Sequence, residues 1–304
     1  MAEDLEFFPG MVTTSTLMAE DEMDEREALE SRIPKAKDDL ASAVAVTRGR
    51  PTLSVAVIAL NEADRIERLL KSVRFADEIL VVDSGSTDGT QALCRSYGAE
   101  VIDQPWMGYV AQKQFALEKA NSEWVLSLDA DEVVSEALAK EIVESLGSAP
   151  PEVVGFSIPR LSNYLRRWIR HGGWYPDRNI RMARKGRARW GGIDPHDKLA
   201  VDGRTLCLSQ PILHFVYRNI SDQLATIDRF SSIIAGRKGP ASGIYLLAGL
   251  GHALAKFAEC YLWKMGFLDG WAGLVIAMNS TWYVFLKYAK AWEIGLNENN
   301  SSRP

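Results

Sequence analysis

Three acidic side chains end an apolar segment near the middle of the chain. Residues 122–132 read SEWVLSLDADE, so an apolar run is followed by Asp129, Asp131 and Glu132. Carboxylates two positions apart on an extended chain project to the same side, and their repulsion must be relieved by water, an arginine or a metal ion. Asp129 and Asp131 supply the hard oxygen ligands that Mg²⁺ or Mn²⁺ prefers. A D-x-D pair alone is weak evidence, because most such pairs are caps or turns.

Polar side chains also follow two earlier apolar segments. LSVAVIAL at 53–60 precedes Asn61 and Glu62, and EILVVDSG at 78–85 contains Asp83 at the start of DSGSTDGT. Loops at the carboxyl ends of parallel strands form the ligand crevice of open α/β sheets. The chain has neither GxGxxG nor GxxxxGK[ST], which argues against a dinucleotide cofactor and a P-loop. An acidic crevice binds a phosphate-bearing ligand only through a cation, so the pattern predicts a metal between the aspartates and a diphosphate.

Alternating strands and helices must position these side chains. The predicted strands are 53–60, 78–85, 99–103 and 123–129, and the predicted helices are 62–73, one capped by Asp88 with Gln91 as capping-box partner, 109–120 and 135–146. The short links favour right-handed crossovers and an α/β fold, with a mostly parallel sheet covered by helices on both faces. After Pro150 the predicted strands are shorter, at 153–159, 178–184, 187–190, 198–201 and 204–209, and the chain is helical from Ser221.

Composition and charge restrict the class of protein. The 304 residues are 47% hydrophobic and 25% charged, as in soluble globular proteins. Residues 1–50 hold 12 acidic and 6 basic side chains and show no strand signal, which predicts a disordered acidic tail. Three widely spaced cysteines without a CxxC suggest neither disulfides nor zinc, and a cytoplasmic location is expected. The net charge of −5 argues against general nucleic-acid binding.

A basic and aromatic segment lies at 160–204. Such a run is either a solvated face or a surface for sugar or nucleic acid. Within it, Arg178 and Arg181 of PDRNIR lie on a predicted strand, where they could bind donor or acceptor phosphate or simply be surface charge. A second arginine group with a tryptophan would suit an anionic membrane leaflet or a phosphorylated lipid-linked saccharide: Arg166, Arg167, Arg170 and Trp168.

The last segment, 243–292, is rich in leucine, tryptophan and tyrosine. Its longest charge-free stretch runs from Gly270 to Leu286, only 17 residues, at the bottom of the range for spanning a bilayer. The pattern favours amphipathic helices lying on the inner face of the cytoplasmic membrane. The alternatives are a spanning pair of helices and a helical hairpin packed on the sheet.

Three motifs in order and spacing resemble the family 2 glycosyltransferases of GT-A fold: SVAVIALNEADRI, EILVVDSGSTDGT and WVLSLDADE. Further segments resemble the branch of lipopolysaccharide core β-glucosyltransferases that add glucose to the inner-core heptose: RLSNYLRRWIRHGGWYPDRNIRMARK, RWGGIDPHDK and GFLDGWAGL. The similarity covers about 52–292. It implies a catalytic domain at 51–215, with a nucleotide-sugar half at 51–150 and an acceptor half at 151–215, followed by a helical, membrane-associating region at 216–304.

The resemblance also implies roles for individual residues. Asn61, Glu62 and Asp83 match the part that contacts the base and ribose of a nucleoside-diphosphate sugar, usually UDP, and Lys113 matches a position near the nucleotide. Asp129 and Asp131 match the pair that binds Mg²⁺ or Mn²⁺, with Asp131 as the more direct ligand. Gly192 of WGG belongs to the loop against the donor sugar. His214 is either a further metal ligand or a structural histidine.

Enzymes of this family invert the anomeric centre, so the resemblance requires a carboxylate that deprotonates the acceptor hydroxyl. Asp197 of PHDK is the first candidate and Asp177 of YPDR the second. The expected reaction is transfer of a hexose, glucose first, from a UDP-sugar to a lipid-linked saccharide such as the lipopolysaccharide inner core. Two other functions remain open: a polyprenyl-phosphate glycosyltransferase and a non-catalytic protein that binds sugar nucleotides.

Overall fold

The computed structural model describes residues 50–194 and 196–301, with side chains as far as residue 297. The predicted acidic tail at 1–50 falls almost entirely outside the described residues and stays a prediction. The described residues from Pro51 onward form one compact unit. The proposed boundaries within this unit, after residues 150 and 215, also stay predictions.

Four parallel strands form the first part of a ten-stranded sheet, in the order β3-β2-β1-β4. They alternate along the chain with three helices: β1 (Leu53–Ala59), α1 (Ile66–Ser72), β2 (Glu78–Asp83), α2 (Thr90–Ser96), β3 (Glu100–Asp103), α3 (Tyr109–Lys119) and β4 (Trp124–Asp129). In β1 and β4 nearly every residue is buried, because apolar side chains pack on both faces of the sheet. The predicted α/β class is therefore confirmed.

The second part of the sheet is mixed. It contains β5 (Glu132–Val134), β6 (Val153–Tyr164), β7 (Arg167–Ile169), β8 (Asp177–Arg184), β11 (Arg204–Cys207) and β12 (Ile212–His214), with α4 (Glu136–Ser148) after β5. Strand β8 runs antiparallel to both of its neighbours, β4 and β6, and so joins the two parts. A separate antiparallel ribbon consists of β9 (Ala188–Ile193) and β10 (His196–Val201). The sequence pattern did not predict β5, β7 and β12, because three residues are too few to show a period.

The C-terminal part is helical, as predicted. It comprises α5 (Ile220–Lys238), α6 (Gly243–Phe257), a π-helical turn (Ala258–Trp263), a 3₁₀ turn (Gly266–Asp269) and α7 (Gly270–Ser301). Ala272 and Ile276 of α7 pack on Tyr164 and Ile169 of the β6–β7 hairpin. Within the described ranges no helix combines the length and apolarity needed to cross a bilayer.

Candidate active site

The loops after β1 and β2 are joined by hydrogen bonds. Asn61, at φ 55°, accepts a bond from the Thr87 amide at 2.9 Å and donates its own amide to Ser86 Oγ at 2.8 Å. The Glu62 amide donates to Thr90 Oγ1 at 2.9 Å. The polar ends of these two strands therefore meet, as expected for neighbouring parallel strands.

Asp83 lies fully buried beneath the second loop. It accepts hydrogen bonds from the Gly85 and Ser86 amides at 3.0 and 2.7 Å, and others from Ser86 Oγ and Gln91 Nε2. Burial opposes ionisation, but these bonds outweigh it and hold the pKa of Asp83 below its ordinary value. The carboxylate thus fixes the shape of the loop.

Helix α2 does not begin as its sequence predicts. Its N-cap is Gly89, at φ 92°, without a side-chain cap. Asp88 instead accepts from the Thr90 amide at 3.0 Å, and Gln91 turns to Asp83 and Asp103. The predicted capping box is wrong, because the side chains of Asp88 and Gln91 form other hydrogen bonds in and around this loop.

Asp129, at the end of β4, lies between two cations. Its carboxylate is 2.8 Å from Lys113 Nζ on α3 and 3.3 Å from Arg181 on β8. Burial would raise the pKa of Asp129, but Lys113 and Arg181 outweigh it and hold the pKa well below its ordinary value. In the structure, protein cations thus relieve the repulsion at this strand end.

Asp131 faces Arg65 and His214. Its Oδ2 lies 3.3 Å from Arg65 Nη1 and 3.5 Å from His214 Nε2. The pairing of β12 with β5 brings His214 opposite Glu132, and Ser162 Oγ lies 3.1 Å from the other ring nitrogen of His214. His214 is thus placed beside the predicted metal pair by a strand that the sequence pattern did not reveal.

Glu62 shares Arg65 with Asp131. Burial raises the pKa of Glu62 above its ordinary value, in spite of the Arg65 guanidinium, and the nearby Asp131 adds to the rise. Arg218 lies 3.7 Å from the same carboxylate. Sequence reasoning gave no role to Arg65, although it lies within the quoted motif SVAVIALNEADRI, because its partner Asp131 is 66 positions away.

Glu132 is the fully buried member of the acidic group. It lies 2.8 Å from Arg181 and 3.6 Å from Arg160, and it accepts the Asp129 amide at 2.9 Å. It therefore holds the strand end and its main counterion together. The sequence showed Glu132 only as a third acid, because its burial depends on the mixed half of the sheet.

Replacing Glu132 by Gln is expected to lower the free energy of unfolding by about 3 kcal/mol, because it leaves a buried guanidinium short of its partner. Urea unfolding with an unchanged m-value measures this loss. The matched control is Glu123→Gln, whose carboxylate is 46% exposed and pairs with Arg184. The control should cost at most about 1 kcal/mol. Equal losses in both variants would show that the burial of Glu132 does not increase its contribution to the free energy of unfolding.

A β-bulge decides where the two arginines of β8 lie. The register with β6 pairs Met182 with Phe156 and Ile180 with Ser157, so Arg181 has no partner residue. Positions three apart on a regular strand face opposite sides, but the extra residue lets both Arg178 and Arg181 line one cavity. Arg181 forms ion pairs with Asp129 and Glu132. Arg178 is exposed and donates a hydrogen bond to the Leu208 carbonyl at 2.9 Å.

The β9–β10 ribbon carries Asp197 to the same place. Its carboxylate lies 2.8 Å from Lys113 Nζ, the ammonium that also contacts Asp129. Burial lowers the pKa of Lys113, but the two carboxylates outweigh burial and raise it overall. Gly192 pairs with Asp197 across the ribbon at φ 95°, and a Cβ there would lie 2.4 Å from the His196 carbonyl oxygen. Only glycine keeps this register without strain.

A cavity of about 530 Å³ connects the two candidate bases. Asp197 and Asp177 both line it, together with Lys113, Arg160 and Trp190. Asp177 is held by two bonds from Arg160, at 2.6 and 3.0 Å, and by Asn179. Asp197 pairs with Lys113 at 2.8 Å and also interacts electrostatically with Arg181. The size and polar lining suit a sugar-sized ligand.

The donor set fits a magnesium-type site rather than a complete protein cage. In the ranges 50–194 and 196–301 no group of three candidate ligands is close enough to hold a metal alone. Mg²⁺ is commonly bound by one or two carboxylates, with waters and substrate phosphates completing the shell. Asp129 and Asp131, whose side chains are 28% and 18% exposed, satisfy that requirement.

Known proteins share this arrangement of motifs. The family model described as Glycosyl transferase family 2 matches residues 54–200. The lipopolysaccharide core biosynthesis glycosyltransferase LpsC of Rhizobium meliloti is 31% identical over 258 residues, which cover 79% of this chain and 92% of LpsC. The chain belongs to family 2 of the glycosyltransferases. The resemblance to the glycosyltransferases of lipopolysaccharide core biosynthesis is thereby confirmed.

Other matches are shorter or more distant. An uncharacterized glycosyltransferase of Rickettsia bellii is 50% identical over 91 residues, 30% of this chain and about a third (31%) of that protein. The mannosyltransferase PcManGT from Pyrobaculum calidifontis, solved with GDP-Man and Mn²⁺, is 18% identical at a TM-score of 0.44, covering 83% of this chain and 88% of its own. Glucosyl-3-phosphoglycerate synthase from Mycobacterium tuberculosis, solved with Mn²⁺ and UDP, is 26% identical at a TM-score of 0.32, covering 40% and 47%.

Proposed function

We propose that this glycosyltransferase moves a hexose, glucose first, from a UDP-sugar to a lipid-linked saccharide such as the lipopolysaccharide inner core, with inversion. The observation that carries the proposal is that Asp129, at the end of β4, and Asp197, on the ribbon, contact the same Lys113 ammonium. Beside them, Glu62 after β1 shares Arg65 with Asp131. Membership in family 2 and the similarity to LpsC over most of both chains support the reaction class and the acceptor.

The nucleoside is proposed to lie over the ends of β1 and β2. Asn61 and Glu62 border that crevice, and their loop is fixed by bonds to Ser86, Thr87 and Thr90. Asp83 would accept a ribose hydroxyl or base N–H in exchange for the bond that Gln91 now donates at 2.8 Å. Its pKa lies below the ordinary value, which favours the carboxylate form, whose two oxygens only accept hydrogen bonds.

The diphosphate is proposed to lie over the end of β4. Asp131 and Asp129 would hold a divalent cation there, with His214 as the further candidate ligand. When bound, such a cation supplies charge stabilisation for the UDP leaving group. If Asp131 binds the cation, Arg65 still has Glu62 as a partner. If Asp129 binds the cation, Arg181 still has Glu132 as a partner. The network therefore leaves no buried arginine uncompensated.

The acceptor hydroxyl is proposed to enter the cavity and give its proton to Asp197 as it attacks the anomeric carbon. Lys113 orients this carboxylate from one side, and the Trp190 ring packs 4.9 Å from the same ammonium. Gly192 leaves room beside the donor sugar. Asp177 is the second candidate, but its bonds to Arg160 make it the better anchor for the cavity wall. Arg178 is left to bind phosphate on either substrate.

A donor screen tests the proposed function. UDP- and GDP-hexoses are supplied with Mn²⁺, Mg²⁺ or excess chelator, and labelled sugar is followed into delipidated core oligosaccharide or polyprenyl phosphate. We expect UDP-glucose to be used, with transfer to the core acceptor only when metal is present. Transfer to polyprenyl phosphate would instead support that alternative acceptor. Tight UDP binding without turnover on any acceptor would support a binding protein.

A further inference from the structure

Helix α6 buries small residues and exposes large apolar residues, which is the reverse of the usual pattern for a helix in water. Its buried positions are Gly249 and Ala253, and a Cβ on Gly249 would lie 2.4 Å from Tyr288 of α7. Its exposed positions include Ile244, Leu247 and Leu254, at 76%, 69% and 63%. A helix that is apolar all round belongs in a core or against lipid.

The exposed apolar surface continues past α6 into the turns that lead to α7. Trp263 and Trp271 are 87% and 84% exposed, values that are unusual for the largest apolar side chain. We call this surface the apolar ridge, and it consists of Ile244, Leu247, Leu250, Leu254, Leu262, Trp263, Phe267, Leu268 and Trp271. Twelve of the twenty large exposed hydrophobic residues in the described part of the chain lie between 244 and 282. Such concentration marks an interaction surface.

Charge along the ridge favours an anionic partner. Residues 243–271 contain two acids and two lysines, so the positive charge beside the ridge comes from neighbouring arginines. Glu259 is paired with Lys256 and Lys264, while Asp269 is only 3% exposed and faces inward. Arginines of the β6–β7 hairpin border the ridge, since Arg167 donates to the Leu268 carbonyl at 3.0 Å. A second copy of the chain would bring like charges together, whereas anionic lipid headgroups complement them.

Asp269 forms hydrogen bonds between the ridge and the loop that precedes β8. It accepts the Arg170 and His171 amides at 3.1 and 2.8 Å, and His171 Nδ1 lies 3.0 Å from its other oxygen. The Gly172 amide donates to the Lys264 carbonyl at 2.8 Å. The loop then enters β8, whose first residue, Asp177, lines the cavity. The ridge and the cavity wall are thus parts of one packed structure.

We propose that the apolar ridge binds the surface of an anionic phospholipid bilayer and, through Asp269, holds the cavity beside that surface. Tryptophan and leucine side chains enter the interfacial region, and the bordering arginines contact the headgroups. The inference rests on the proposed function in one respect, because a lipid-linked acceptor would then meet the cavity without leaving the membrane.

Vesicle sedimentation of the full chain tests this proposal without donor or acceptor. We expect binding to vesicles that contain phosphatidylglycerol and weaker binding to phosphatidylcholine alone. The double variant Trp263→Ser, Trp271→Ser should lower the partition coefficient at least tenfold, and Leu262→Ser should lower it to a smaller degree. The matched control is Leu224→Ser on α5, 41% exposed and outside the ridge, which should bind as the wild type does.

Two outcomes would overturn the proposal. One is equal vesicle binding by the wild type and the double variant. The other is that the wild type forms a dimer and does not bind vesicles, while the double variant is a monomer. That result would assign the ridge to contact with a second copy of the chain. Failure of the proposed function is distinguishable, since the ridge variants should still transfer sugar to a delipidated acceptor.

Discussion

Replacing Asp197 by Asn is expected to lower kcat for sugar transfer by about 10²- to 10⁴-fold, the usual contribution of a positioned general base. Asn keeps the volume of the side chain but cannot take the proton. Asp197 lies on the ribbon, where its carboxylate contacts Lys113, whereas the nucleoside is proposed to lie over the loops after β1 and β2. The dissociation constant for the UDP-sugar should therefore stay unchanged. Steady-state kinetics and calorimetric titration of the donor measure the two quantities.

The control for this variant lies directly after the same ribbon. Asp202→Asn changes an aspartate that is 93% exposed, and it should leave kcat within a factor of two or so, as surface changes generally do. A loss of less than tenfold in Asp197→Asn would remove it as the base. In that event Asp177→Asn becomes the decisive variant, although its bonds to Arg160 predict a structural loss as well.

Replacing Asp131 by Ala is expected to abolish metal-activated transfer, with a fall in kcat/KM on the order of 10³-fold. Loss of a cation that stabilises the leaving group is worth several kcal/mol, and each 1.4 kcal/mol is a factor of ten. Asp131 lies at a strand end, with its side chain 18% exposed and outside the apolar clusters, so the fold should survive. Activity over a Mn²⁺ series and thermal unfolding measure both expectations.

Asp228→Ala on α5 is the matched control, because the Asp228 carboxylate is 74% exposed and pairs with Lys290. Full activity in Asp131→Ala, or full product formation by the wild type under excess chelator, would contradict a metal at this site. Asp131 is the better choice than Asp129 for this test. Asp129 also orders Lys113 and Arg181, so its loss would combine several coupled effects.

The same coupling shows how the charge of the acidic strand end is balanced in the fold. From the sequence, Asp129 and Asp131 are two carboxylates in need of a cation. In the fold, Lys113, Arg181 and Arg65 supply positive charge before any metal binds. Side chains of the protein itself therefore neutralise much of the negative charge at this strand end.

The sequence by itself determined the parallel half of the fold and the polar residues at its strand ends. Continuous apolar runs identify β1, β2 and β4, because a strand buried on both faces has no polar alternation. Parallel strands end at one edge of the sheet, so the parallel direction of these strands alone predicts that Asn61, Glu62, Asp83 and Asp129 lie along that edge.

Only the tertiary structure decided how those residues are partnered. Asp131 meets Arg65 across 66 positions, Asp129 meets Arg181 across 52, and Lys113 meets Asp197 across 84. The short strands β5 and β12 and the bulge at Arg181 form because neighbouring strands pair with them, and no local period announces them. Periodicity reports which face of an element is buried. The contacts between elements depend on sheet order and register, which are settled when the whole chain packs.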